Sequence, residues 1–101
     1  MNLGHVEVVY CTLALTATVD GSPVDVGWSV AIVPPRTQPD TTTVWTPVDY
    51  ADGVATLLLA GPEATAPTGA IQVTADSDLY VMPTGAPPEV LPVLVERITT
   101  R

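Results

Sequence analysis

Apolar and polar positions alternate through the first part of the chain. From His5 to Val19, residues Val9, Cys11, Leu13, Leu15, Ala17 and Val19 fall on one phase, and Tyr10, Thr12, Thr16 and Thr18 fall on the other. A period of two is the signature of a strand with one face in a core. Val6 and Val8 sit on the opposite phase, which predicts a bulge or a change of sheet near Val8. Asp20-Gly21-Ser22-Pro23 then has the chemistry of a turn. A second strand is expected from about Val26 to Val33, with Val26, Trp28, Val30 and Ile32 on one face. Trp28 is the natural centre of a core, and its indole N–H would then need an acceptor.

Val44 to Ala60 organises the rest. It reads as a hairpin, in which Gly53 takes a positive φ without steric cost and Asp52 bonds locally across the turn. The incoming strand is expected over Thr41–Val48, with Thr43 and Trp45 on one face and Val44 and Thr46 on the other. The outgoing strand is expected over Val54–Ala60, followed by a Pro- and Thr-rich loop from Gly61 to Gly69. A fifth strand spans Ala70–Ala75, with Ile71 and Val73 facing in and Asp76-Ser77-Asp78 closing it. A sixth spans Leu79–Met82, and Pro83–Glu89 turns the chain again. The last runs from Val90 to Thr99, with Leu94 and Ile98 on one side and Val93 and Val95 on the other. Apolar residues on both sides predict a strand that is central or lies under a neighbouring chain. Short strands with turn signals between them make one all-β domain over residues 1–101. The expected fold is an antiparallel β-sandwich of about seven strands, Ig-like or transthyretin-like, with a small β-barrel as the alternative.

Composition sharpens this picture. Apolar residues make up 47% of the chain, enough for a core and too many for a disordered tail. Eleven prolines and seven glycines argue against long helices. The net charge is −8, Lys is absent, and Arg36, Arg97 and Arg101 are the only cations. Such a surface repels phosphate backbones and anionic membranes, so no direct nucleic-acid or membrane partner is expected. Cys11 stands alone, which excludes an internal disulfide and points to a buried structural thiol. The N-terminal stretch has no basic region and Glu7 interrupts its apolar run, so no signal peptide is expected. The run around Leu58 is too short for a transmembrane segment.

Candidate chemistry is sparse. His5 is the only histidine, and neither a nucleophile elbow nor a Gly-rich phosphate loop is present, so no enzymatic activity is expected. The acids fall in turns, where Asp is favoured for backbone reasons. Asp76 and Asp78 with Asp49 and Asp52 would form a Ca²⁺ site only by converging at one end of the fold, and no EF-hand spacing is present. The chain is expected to hold no cofactor and no metal.

Two resemblances bear on function. Leu15-Thr16-Ala17-Thr18-Val19-Asp20-Gly21-Ser22-Pro23-Val24, followed by Tyr50-Ala51-Asp52-Gly53-Val54-Ala55-Thr56-Leu57, resembles the carboxypeptidase-regulatory or transthyretin-like sandwich pattern. The first acid of its second turn stands here at Asp49, one position further out, and the Gly-x-Tyr segment of that pattern is not evident. The bias towards Ala, Val, Thr, Pro, Gly and Asp is what GC-rich coding produces. A short, acidic, Lys-free β-domain of this kind is similar to the small virion proteins of actinobacteriophages, both head decoration proteins and sandwich domains of tail proteins. That resemblance implies a structural role without cofactors, in a virion assembled from proteins made in the host cytoplasm. The expected partners are a major capsid protein or tail proteins, with homo-oligomers in the assembly. A decoration or minor capsid subunit on the head exterior is the leading expectation, and a tail or head–tail connector component is its nearest variant. Interface candidates are Pro35 and Arg36 in the stiff Pro34–Asp40 loop, Trp45, Tyr50, and Val93 and Val95 on the last strand. A carbohydrate-binding or adhesion module is the second class of function, with Tyr10, Trp45 and Tyr50 as its platform.

Overall fold

The computed structural model describes residues 1–19, 22–24, 27–85 and 90–100, with side chains left aside over 17–26. The Asp20-Gly21 part of the first turn, Val26, the end of the Pro83–Glu89 turn and Arg101 lie outside the described residues, as do the facings of Ala17 and Val19. The chain is all-β, and no helix occurs among the described residues. Its strands are β1 (Val8–Ala14), β2 (Ala17–Val19), β3 (Ser22–Val24), β4 (Trp28–Val33), β5 (Thr46–Ala51), β6 (Val54–Ala60), β7 (Ile71–Gln72), β8 (Ser77–Pro83) and β9 (Val93–Ile98). β2 and β3 form a separate small ribbon.

The other seven strands make one curled sheet. Six follow the antiparallel path β1-β6-β5-β4-β8-β9, and β7 pairs parallel with the end of β6. A continuous path of this kind is the barrel alternative rather than two separate stacked sheets. β5 turns the corner. Thr46–Val48 pair with β4, whereas Asp49–Ala51 pair with β6. The N-terminal segment brings the two ends of the path together. Leu3 N–H donates to the Thr99 carbonyl and Thr99 N–H to the Met1 carbonyl, in a parallel bridge alongside β9. A few residues on, Glu7 O accepts from Gly61 N–H and β1 runs beside β6. The expected bulge or change of sheet near Val8 is not found, because β1 pairs with β6 in unbroken register from Val8; the chain bends earlier, at residues 4–6, where Gly4 takes φ +61°.

The β5–β6 hairpin is as expected, with Asp52 at φ +52° and Gly53 at φ +80°, the two positive angles of a type I′ turn. It is also clamped to the end of β1. Leu15 N–H donates to the Gly53 carbonyl, and Tyr50 Oη–H donates to the Leu15 carbonyl at 2.7 Å. The core gathers Leu3, Cys11, Trp28, Val30, Leu57, Leu59, Val73, Leu79, Val81 and Ile98. Val9, Leu13 and Leu15 pack against it while Tyr10 and Thr12 are exposed, so the first strand faces as its alternation dictates. Trp28 is buried and tilts against the Tyr50 ring at 6.2 Å, but its Nε1 has no hydrogen-bond acceptor among the described residues, contrary to expectation.

Several boundaries move. The long first strand stops at Ala14, and Ser29, Ala31 and Val33 are buried as well as Trp28 and Val30, so β4 is covered on both faces. The third strand starts at Thr46 rather than Thr41. Asp78 is not a turn residue but a buried member of β8. β9 ends the sheet path instead of lying at its centre.

Candidate functional site

Exposed apolar side chains concentrate where β9 begins. Leu91 is 78% exposed, Val93 57% and Leu94 47%, with Val90 beside them. The register of β9 is also broken beside them. Leu79 pairs with Glu96 but Tyr80 pairs with Leu94, so Val95 is an extra residue in a β-bulge. Leu94, opposite the half-exposed Tyr80, faces outward; Val93, opposite the buried Val81, is on the core side of the sheet yet still exposed, and Val95 stays half-buried against the core. β8 takes one side of β9, and on the other the N-terminal segment bridges at Thr99, while the Met1 ammonium donates to the Arg97 carbonyl and pairs with Glu96. Residues 93–95 thus keep an outer edge that no described strand covers.

At the other end of β9, Asp78 is fully buried and joins three stretches of chain. Arg97 donates from Nε to Asp78 Oδ1 at 2.8 Å and from Nη2 to Oδ2 at 3.3 Å, and Arg36 N–H donates to Oδ2 at 2.9 Å. Arg36 takes φ +61° to do so. The Arg97 guanidinium first, and then the Arg36 amide, hold the Asp78 carboxyl below the usual range. Two of the three arginines are thereby drawn to one carboxylate 42 residues from one and 19 from the other.

A third feature is a gap in the sheet. β5 pairs with β6 only as far as Asp49–Thr56, and β7 joins only at Leu59–Ile71. Between them an open notch of about 350 Å³ is lined by Tyr10, Thr46, Asp49, Thr56, Leu58 and Thr68, among others.

The interface candidates fall at separate places. Arg36 and Pro35 lie in the exposed loop after β4, with the Arg36 backbone tied to Asp78. Trp45 is half-buried in the segment before β5. Tyr50 packs on Trp28 and is held through its hydroxyl. Val93 and Val95 lie on β9, which β4 and β8 separate from β5. The four aspartates do not converge. Asp78 pairs with Arg97, Asp76 accepts from the Thr100 amide and hydroxyl, and Asp49 and Asp52 stay on the exposed hairpin. Among the described residues no group of three or more His, Cys, Asp or Glu is placed to hold a metal ion. Cys11 is buried, and that burial, followed by the Glu96 charge, pushes its thiol up, which suits a structural residue. Among the described residues no helix is long and apolar enough to cross a membrane.

The exposed apolar strip was half legible. Apolar residues on both phases of the last strand signalled it, but the bulge at Val95 has no sequence signature. The notch was not legible, because it arises where two strands share one edge. No protein-family model, curated protein or solved structure matches this chain.

Proposed function

We propose that this chain is a structural docking module without catalytic activity, in its most specific form a decoration subunit on the exterior of a phage head. The observation that carries the reading is the apolar strip Val90, Leu91, Val93 and Leu94 beside the uncovered edge of β9. Exposed apolar side chains grouped at one strand end of an otherwise acidic domain mark a protein contact. An uncovered strand edge adds directional main-chain donors and acceptors, as in strand addition to a partner sheet. Of the usual edge protections Lys and Pro are missing, since the chain has no Lys and β9 contains no Pro, which leaves the Val95 bulge and the charges of Glu96 and Arg97. The acidic remainder of the surface keeps the free subunit soluble until it docks. A tail or head–tail connector position would use the same surface.

Copy number in purified particles from the source, measured by quantitative mass spectrometry, tests this reading. A count comparable to the major shell protein is expected for a decoration subunit, and a count far below it assigns a connector or tail position. Absence from particles overturns the virion role. The paired variant Leu91→Asp/Leu94→Asp should remain folded and lose particle binding. Full binding by that variant would remove β9 as the docking element.

A further inference from the structure

We propose that the notch between β5, β6 and β7 is a binding site for one uncharged pyranose ring, independent of the docking edge on β9. It exists because of the sheet path. β5 leaves β6 to pair with β4, and β7 reaches β6 only two residues beyond Leu57, so Leu57 and Leu58 have no strand neighbour on that side. Ala60 turns its carbonyl to that side, where it accepts from Val73 N–H. By the alternation of the strand, Leu58 turns its main chain the same way, into the notch. The Thr68-Gly69 bend, with Gly69 at φ +87°, forms the far wall.

The lining chemistry is that of sugar recognition. Tyr10 stands opposite Leu58 on the outer face of the sheet and is 75% exposed, an aromatic surface that the core does not use. A Tyr ring offers an apolar face for the C–H side of a pyranose and a hydroxyl at its rim. Asp49 is paired in register with Thr56 across β5 and β6, which places a carboxylate beside a hydroxyl. An ionised carboxylate only accepts hydrogen bonds, and two neighbouring sugar hydroxyls are matching donors. Thr46 and Thr68 add further hydroxyls around the rim, and Ile71 completes the apolar floor. The volume lies at the small end of the roughly 300–1,000 Å³ range of ligand sites, which suits a single ring rather than a long oligomer. Charge sets the class. No cation lines the notch and the chain carries −8, so phosphorylated sugars and uronic acids are repelled.

The test is an amide-resolved NMR titration of the full chain with glucose, galactose, mannose and N-acetylglucosamine, and with glucuronate as the anionic comparison. Saturable shifts confined to Tyr10, Asp49, Thr56, Leu58 and Thr68 are expected for at least one neutral sugar. Tyr10→Ala and Asp49→Asn alter exposed residues, should keep the wild-type spectrum elsewhere, and should each weaken binding by about tenfold or more. Methyl glycosides separate the two sources of such a ring. Retained binding assigns residues within a glycan chain, and loss assigns the free reducing sugar. The proposal is overturned if no neutral sugar gives saturable shifts, if the shifts fall outside the notch, if both variants bind like wild type, or if glucuronate binds as well as glucose. None of these results bears on particle copy number, so the two readings stand or fall separately.

Discussion

Asp78 shows how much one side chain decides. Its sequence context, Asp76-Ser77-Asp78, reads as a turn, because short polar residues in series satisfy their own backbone. Asp76 and Ser77 do bond to nearby or terminal groups, but Asp78 is drawn into β8 by a guanidinium that sequence places 19 residues away. Such a long-range partner leaves no local mark. Because Arg97 and the Arg36 amide depress its pKa in the fold, the unfolded chain binds the proton more readily. The stabilisation is therefore full above the ordinary Asp range and is lost as pH falls through that range towards the depressed value. Thermal melts taken at descending pH should show this loss, and Asp78→Asn should lower the melting temperature at neutral pH and flatten the acid limb. Glycines give a second contrast at this scale. A Cβ on Gly61 would collide with the Gly4 carbonyl, backbone against backbone, whereas one on Gly53 would meet nothing and strain only its φ of +80°. Gly61→Ala is expected to cost about 1–3 kcal/mol by overpacking, and Gly53→Ala about 1–2 kcal/mol by backbone strain alone. Denaturant melts of the two variants check both.

Among the elements, β6 was read from the sequence with its observed ends, because an Asp-Gly turn starts it and Gly61-Pro62 ends it. The continuous apolar run did not show its facing: Ala55, Leu57 and Leu59 are buried, Thr56 and Leu58 are half-buried, and Ala60 is buried as well. Leu59→Ala should cost about 2–5 kcal/mol, as for a fully enclosed side chain, and Leu58→Ala clearly less, measured by chemical denaturation. Equal losses would mean that the two faces are equally packed. β5 was misread at its start for a specific reason. Three consecutive threonines favour a strand, yet Asp40 captures them: its Oδ1 accepts from Thr42 N–H at 2.8 Å, and Asp40 N–H donates to Thr43 Oγ1 at 2.8 Å. Side-chain bonds to nearby backbone compete with a ladder and win here. β9 was found, but its position at the end of the path was not. Periodicity reports which residues are apolar, not which strand lies next to which.

At the level of the whole molecule, the all-β class followed from the spacing of turns, while the choice between sandwich and barrel did not. That choice rests on β5 pairing with two neighbours in succession and on the N-terminal segment touching both ends of the path. Leu3 is the apolar seal of this closure, with no exposed surface. Leu3→Ala should destabilise the protein by about 2–5 kcal/mol and raise amide exchange at Thr99 and along β1 more than in the β5–β6 hairpin. Uniform exchange throughout would show that the N-terminal segment does not act as a seal.

The bridge from Leu3 to Thr99 also has a meaning in time. A ribosome delivers Leu3 before Thr99, 96 residues earlier, so the nascent chain carries its seal open until β9 has been made. The β5–β6 hairpin is local and forms early, whereas contacts of such sequence separation come last. Chains released at Pro92 should therefore retain the hairpin but expose Leu3 and β8, and should be captured by chaperones or proteases. Chains extended through Thr100 should escape.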